Sequence, residues 1–315
     1  MTEMRLAPIA RGLLSYLPAI NDLIPQRGSV GHTESAEYCF GVWVRHLTLL
    51  HAHGMTTMPR TVADFGPGES LGVGIAALLS GAEQCFGLDV LPHSNPERNL
   101  RTLEGLLPLF RDRAPRTDQG WPNVNAYLDE RLFPSQVLTE QLLEKSLAPE
   151  RIRNIRRAIM DPASANPIRV EYKAPWSDPR VIEAESIDLI TSQSVLEHVV
   201  DLPAAYRALY AWLKPGGWMS HQIDLKTHNL THRWNGFRAC SESVWKLASG
   251  RRPYIINREP ASVHLRLMEQ AGLRVVTQQK MLRKDGIRRE ELAPLWSDIT
   301  EEDLSCSGLY VIATK

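Results

Sequence analysis

Three groups of side chains in this sequence have the type and spacing to do chemistry. The first is Asp64-Phe65-Gly66-Pro67-Gly68-Glu69-Ser70-Leu71-Gly72, which follows the apolar run Thr61-Val62-Ala63. Gly66 and Gly68 carry no side chain to hold a ligand off the backbone, and Asp64 puts a carboxylate beside them. Leu71 stands where a dinucleotide fingerprint needs its third glycine, and no Gly-Lys-Ser/Thr marks a P-loop. The second is Asp89, at the end of the apolar run Gln84-Cys85-Phe86-Gly87-Leu88. A carboxylate there can accept both hydroxyls of a ribose and repels a 2′-phosphate. The third is a concentration of histidines: His198, His221, His228 and His232, four of the ten, fall between residues 198 and 232.

Near-neutral imidazoles suit proton removal from a hydroxyl. His198 follows Glu197 in a turn and is a candidate base; packing at a helix start is the alternative. His221 and Asp224 bracket the end of a strand, where three residues of separation turn them to opposite sides. Asp224 is the better placed for a cleft. His228 and His232 would share a face if their stretch were helical. Asp224, His228 and His232 could then offer a mixed nitrogen and oxygen set to a metal, but they match no recognised metal motif. A substrate-binding loop is the preferred reading, with no metal assigned.

These residues need a scaffold, and the apolar pattern supplies one. Strands read at Thr61–Phe65, Gln84–Asp89, Arg169–Tyr172, Ser186–Thr191, Trp218–Ile223, Leu273–Thr277 and Leu309–Thr314, with helices between them. The alternation predicts an α/β fold, a doubly wound, mostly parallel seven-stranded sheet covered on both faces. Residues 1–58 read as an N-terminal helical cap, including a helix over 36–53, and residues 59–315 as the main domain. Two long connections interrupt it: a helical insertion at 92–168, with helices expected over 99–111 and 140–159, and a loop at 226–260 rich in His, Trp and Arg. Connections this long tend to bind something.

Composition narrows the partners. The 36 Lys+Arg balance 36 Asp+Glu, so no basic excess points to nucleic acid. The four cysteines are scattered without a Cys-x-x-Cys pair, which reads as reduced thiols. With neither a signal-peptide pattern nor a long apolar span, the expectation is a cytoplasmic protein without a membrane span. The Asn229-Leu230-Thr231 sequon reads as chance.

The motifs resemble those of class I S-adenosylmethionine-dependent methyltransferases. The resemblance runs through Asp64-Phe65-Gly66-Pro67-Gly68 and Asp89, then Ser186-Ile187-Asp188-Leu189-Ile190, Leu196-Glu197-His198-Val199, and Leu213-Lys214-Pro215-Gly216-Gly217. It implies a Rossmann-like domain that binds S-adenosyl-L-methionine and releases S-adenosyl-L-homocysteine. Asp64 and the backbone of Gly66, Pro67 and Gly68 would hold the methionine portion, and Asp89, with Val90 beside it, the ribose. Trp176 would flank the adenine, with Asp178 in place of the usual acid; a core or lid position is its alternative. Ser192 and Gln193 would sit beneath the sulfonium. Ser70 replaces a usual glycine and would contact the methionine carboxylate or cap the next helix.

The implied acceptor is a small molecule or glycan, methylated on a hydroxyl oxygen. Nitrogen or carbon methylation of a secondary metabolite, or a binding protein without turnover, are the alternatives. An Asn-Pro-Pro-Tyr/Phe motif, typical of nucleic-acid and protein amine methylation, is replaced by Ser192-Gln193-Ser194-Val195. Trp212, Trp218, Trp234 and Trp245, with Arg233, Asn235, Arg238, Arg251 and Arg252, would suit a polyhydroxylated acceptor, unless the tryptophans are core. Arg151, Arg153, Arg156 and Arg157 give the inserted helix a cationic face, solvated or turned to an anionic acceptor. On this view neutrality averages an acidic cofactor pocket and a basic acceptor-facing cap.

Overall fold

The computed structural model describes residues 3–17, 33–116, 133–252 and 255–315. Its centre is a sheet of β1 (Thr61–Phe65), β2 (Gln84–Leu88), β3 (Arg169–Lys173), β4 (Ile187–Gln193), β5 (Leu213–Asp224), β6 (Arg274–Leu282) and β7 (Cys306–Thr314). The strand order is β3-β2-β1-β4-β5-β7-β6. The first five strands pair in parallel, and β7 runs antiparallel to both β5 and β6. The order reverses between β1 and β4, which opens a crevice at their carboxyl ends.

The described helices are α1 (Leu6–Leu14), α2 (Ala36–Ala52), α3 (Gly72–Leu79), α4 (Pro96–Arg111), α5 (Glu140–Ser146), α6 (Pro149–Met160), α7 (Leu202–Trp212), α8 (Glu242–Ser249), α9 (Ala261–Gln270) and α10 (Glu301–Ser305). None is long and apolar enough to cross a membrane. Alternation along the strands sends side chains into two packed layers. Val62 of β1 and Tyr310 and Ile312 of β7 enter the layer built with α2, α3, α4 and α6. Ala63, Phe65, Leu309 and Val311 enter the other, with α7 and α9. Both faces are covered, so all nine residues of β7 are buried.

Helix α2 corrects the expected N-terminal cap. Its apolar residues lie on nearly every side, and Phe40, Trp43, Val44, Leu47 and Leu50 are fully buried in the main core. The Trp43 indole N–H donates to Ser80 Oγ at 2.7 Å. His46 Nδ1 lies 2.7 Å from Ser220 Oγ, which is 2.6 Å from the Tyr310 hydroxyl. Burial pushes the His46 pKa down to about 3, so this link to the sheet is neutral. The part of the amino terminus that does lie outside the core is α1. It packs on α8, where a Cβ at Gly12 would lie 1.9 Å from the Leu247 carbonyl oxygen.

The helix expected over 140–159 is two helices, because Pro149 disfavours helical geometry at the residue before it and instead opens α6. Of the arginines of α6, Arg153 and Arg157 are exposed and the other two are held locally. Arg151 donates to the carbonyls of Leu78 and Ala82, Arg156 pairs with Glu104, and α6 packs on β3 and α4 at one sheet edge. The cationic face of α6 is thus part local bracing and part solvated surface.

Since α2 is core, Trp43→Ala should lower the free energy of unfolding by about 3–5 kcal/mol. Urea denaturation followed by far-UV circular dichroism reads it; a loss below about 1 kcal/mol would mean that α2 is a detachable cap.

Candidate active site

The glycine loop is shaped by the strands that flank it. Asp64 of β1 lies opposite Gly87 of β2, and the Gly66 N–H donates to the Leu88 carbonyl at 2.8 Å. Gly66 and Gly68 adopt φ of +79° and +70°, a region where a Cβ is strained. A Cβ at Gly66 would also stand 2.4 Å from Val195 Cγ2. The turn after β4 is thus closed onto the loop after β1.

Asp89 sits beside them. Its carboxylate accepts from the Gly68 N–H at 3.2 Å and the Val90 N–H at 2.7 Å. The Trp176 N–H donates to the Asp89 carbonyl at 3.0 Å, and the Trp176 ring meets Phe65 edge-on with centroids 4.7 Å apart. The β3 end, Asp89 and the glycine loop therefore form one connected rim.

Asp64 is 5 % exposed and Asp89 7 %. Burial raises the Asp64 pKa to about 7, and the charge of Asp89 adds to the effect. Burial raises Asp89 too, against the hydrogen bond from Val90. Among the described residues, no lysine or arginine forms an ion pair with either.

Other expected cofactor residues divide. Ser70 Oγ donates to the Thr33 carbonyl and accepts from the Gly72 N–H at 3.2 Å. Its hydroxyl is therefore committed to the start of α3 and to the segment before α2, the capping alternative. Ser192 is fully buried, and its Oγ lies 2.7 Å from His221 Nδ1, inside the packed layer. Gln193 reaches the strand end, donating from Nε2 to Gln222 Oε1 at 2.8 Å, where Ser194 Oγ also donates. Asp178 is exposed and held by Arg180, away from any adenine role.

The acceptor side is built by three short segments. Glu197 and His198 lie in the 3-10 turn Leu196–His198 after β4. Asn257 fastens that turn: its N–H donates to the Glu197 carbonyl at 2.6 Å, and its Nδ2 to Leu196 and Val199 carbonyls at 2.7 and 2.9 Å. Asp224 ends β5 and pairs with Lys226 Nζ at 3.0 Å. His228 follows with φ of 49°, next to Asn229 at 64°, and Ser194 has φ of 53°. Left-handed backbone at three non-glycine residues costs on the order of 1 kcal/mol each.

Those turns bring His228 Nε2 to 3.5 Å from Asp224 Oδ2 and 3.9 Å from Glu197 Oε1. The His198 and His228 rings meet edge-on at 5.0 Å. Glu197 is 2 % exposed, and neither carboxylate oxygen has a hydrogen-bond partner of ordinary geometry. Burial first, and then the charge of Asp224, hold its pKa well above the usual carboxylate range. Asp224 itself is lowered, because His228 and Lys226 outweigh the effect of burial. Beside the cluster a cavity of about 670 Å³ is lined by Asp224, His228, Asn229, His232, Arg233 and Trp234, among others.

His221 does not join the cluster. It is fully buried, and burial, with His264 nearby, lowers its pKa to about 3. His232 also stands apart, because its stretch is turns and bends and not a helix: Thr231 pairs with Met4, and the His232 N–H donates to the Glu3 carbonyl. The set Asp224, His228 and His232 therefore does not form. Glu197 takes its place, and its signal in the sequence was an acid in the same turn as His198.

The Trp- and Arg-rich loop mostly braces itself. Arg233 is clamped by Glu3 and Glu291, Arg238 lies over the rings of Phe237 and Trp296, and Arg258 over Trp245. Asn235 donates to the Leu304 carbonyl, and Arg252 to that of Ala248. Trp212 is core, with its N–H on the Pro179 carbonyl. Of the four tryptophans, Trp234 alone lines the cavity.

A family model described as a methyltransferase domain matches residues 50–278. The chain belongs to that family. It is a class I S-adenosylmethionine-dependent methyltransferase with a Rossmann-like fold. Solved structures to which this methyltransferase is similar include an S-adenosylmethionine-dependent methyltransferase from Mesorhizobium loti, at 14 % identity over 85 % of this chain and 96 % of that one, TM-score 0.41. Another is phosphoethanolamine N-methyltransferase 2 from Haemonchus contortus with S-adenosyl-L-methionine, at 15 % identity over 87 % and 52 %, TM-score 0.43. A third, from Methanosarcina mazei, has 12 % identity over 85 % and 96 %, TM-score 0.42. The family assignment rests on the sequence model. No curated protein matches the chain.

The residues present fit the cofactor. Two buried carboxylates, neither in an ion pair with a lysine or arginine among the described residues, beside a loop whose left-handed Gly66 and Gly68 leave the backbone bare, suit a ligand bearing an ammonium, a sulfonium and a diol. The linkage has a definite sign. Were Asp64 to hold the cationic end, only its ionised form would attract that ligand, and burial pushes its pKa up to about 7. Binding should therefore release protons near neutrality, and affinity should rise about tenfold from pH 6 to pH 8. Calorimetry in buffers of different ionisation enthalpy measures both; an affinity flat with pH would refute the assignment of Asp64 to the cationic end.

Proposed function

We propose that this methyltransferase modifies a hydroxyl oxygen of a small polar acceptor, such as a saccharide, that reaches the cofactor through the cavity beside Asp224 and His228. The observation supporting this is the convergence of His198, Asp224 and His228 at the ends of β4 and β5, one turn from the glycine loop. The cavity lining is charged and polar, with Arg5, Lys226 and Asp285 adding to the residues above, which suits a hydroxylated acceptor better than an apolar one.

Asp64 and the backbone of Gly66, Pro67 and Gly68 hold the methionine portion. Asp89 takes the ribose, with Val90 beside it, and Trp176 covers the adenine side. Gln193 lies at the strand end that faces the reacting centre. When bound, the cofactor supplies a methyl carbon activated by a sulfonium leaving group. His198, Asp224 and His228 orient the acceptor hydroxyl in line and favour loss of its proton, which alignment and local charge make effective.

A screen of sugars, phenols and amines with cofactor consumption as readout identifies the acceptor. With it in hand, His228→Ala should lower kcat by about 100-fold or more while leaving S-adenosyl-L-homocysteine affinity within about twofold. Asp89→Ala should do the reverse, weakening cofactor affinity by about tenfold or more through loss of the paired ribose bond. Full turnover in the His228 variant would place acceptor activation elsewhere, and an amine as the sole substrate would refute oxygen methylation.

A further inference from the structure

We infer that Glu197, His198 and His228 form a binding site for one divalent transition-metal ion. Among the described residues, these three offer donor atoms that all lie within 4.8 Å of one another. Two imidazoles and one carboxylate are the ligand set that first-row ions such as zinc, cobalt or iron accept, whereas magnesium and calcium prefer all-oxygen sites.

The spacings are too wide for a hydrogen-bonded ion pair and somewhat wider than a closed coordination shell. His228 Nε2 stands 3.9 Å from Glu197 Oε1, too long for a hydrogen bond. Donors held 2.0–2.1 Å from one tetrahedral ion lie about 3.4 Å apart, so the side chains need only a small closure. The second observation is Glu197 itself. Its carboxylate is 2 % exposed, its oxygens make no hydrogen bond of ordinary geometry, and backbone N–H groups and His228 lie near them; a buried carboxylate is expensive unless a positive charge meets it.

The backbone of the ligand-bearing segments is also fixed from outside the cluster. Asn257 fixes the backbone on both sides of Glu197. The left-handed turn at His228 and Asn229 returns the imidazole toward β4. Asp224 keeps its ion pair with Lys226 and stands 3.5 Å from His228 Nε2, adding negative charge beside the ion. His228 and Asp224 both line the cavity, so a coordination position is left open toward it. An acceptor oxygen entering there would be polarised by the ion, with no change in metal oxidation state. That role rests on the hydroxyl-acceptor reading; the site itself does not.

The test uses the full-length protein, stripped with a chelator and titrated with Co²⁺ and with Zn²⁺. Calorimetry should give one ion per chain, and Co²⁺ should develop the visible absorption of a low-coordinate nitrogen and oxygen site. Glu197→Gln and His228→Ala should each weaken binding at least about tenfold, and His232→Ala should leave it unchanged. S-adenosyl-L-homocysteine binding by every variant verifies the fold, and half-exposed His228 keeps the test alive should the Glu197 variant fail to fold. Equal Zn²⁺ and Co²⁺ binding by the wild type and His228→Ala would overturn the site, as would loss on His232→Ala alone. Failure of metal binding with chelator-resistant turnover overturns this inference and leaves the acceptor reading standing; failure of cofactor binding would instead strike at the cofactor-site assignment.

Discussion

Two carboxylates kept from water at the ends of neighbouring parallel strands, with no lysine or arginine paired to either among the described residues, set the terms for this protein. Asp64 and Asp89 would be driven to their protonated forms by burial alone, and burial does raise both. The surrounding structure accepts that cost. The parallel register of β1 and β2 fixes the two side chains on one crevice, the Gly68 and Val90 N–H groups steady Asp89, and the reversal of strand order beside β1 leaves the space open. Such a pocket is the one proposed above for the cationic cofactor, whose charge would offset that cost.

The acceptor end follows a similar logic with different materials. There the strand ends carry Gln193 and Asp224, and short irregular turns supply Glu197, His198 and His228. Their positions depend on backbone in a sparsely populated region and on one asparagine, Asn257, arriving from the far end of a long loop. The arginines and tryptophans of that loop are spent on holding it: Arg233 between Glu3 and Glu291, Arg258 on Trp245, Arg238 on Trp296. Most of the charged side chains described in that loop are occupied within the protein.

The amino terminus contributes to both ends. Helix α2 completes the core beneath the sheet, and the preceding Thr33 accepts from Ser70 and from the Glu69 N–H, tying that segment to the glycine loop. Met4 pairs with Thr231 beside the cavity. Residues that read as a separable cap are thus part of the machinery that shapes each pocket.

The strands, their order along the chain and the glycine loop were legible from residue types alone, because burial on both faces demands apolar runs and a backbone cradle demands glycine. Asp64 and Asp89 were legible for the same local reason: each is the first acid after such a run. What could not be read was any arrangement made by residues distant in sequence. Glu197 and His228 meet through two left-handed turns, and no local pattern encodes their approach. His232 was paired with His228 on helical spacing that the Met4 contact overrides. His221, already less well placed than Asp224, stayed a candidate until the sheet buried it against Ser192. Periodicity records which face of a segment avoids water, whereas the meeting of side chains across loops is decided only when the whole core closes and each polar group must find a partner or do without.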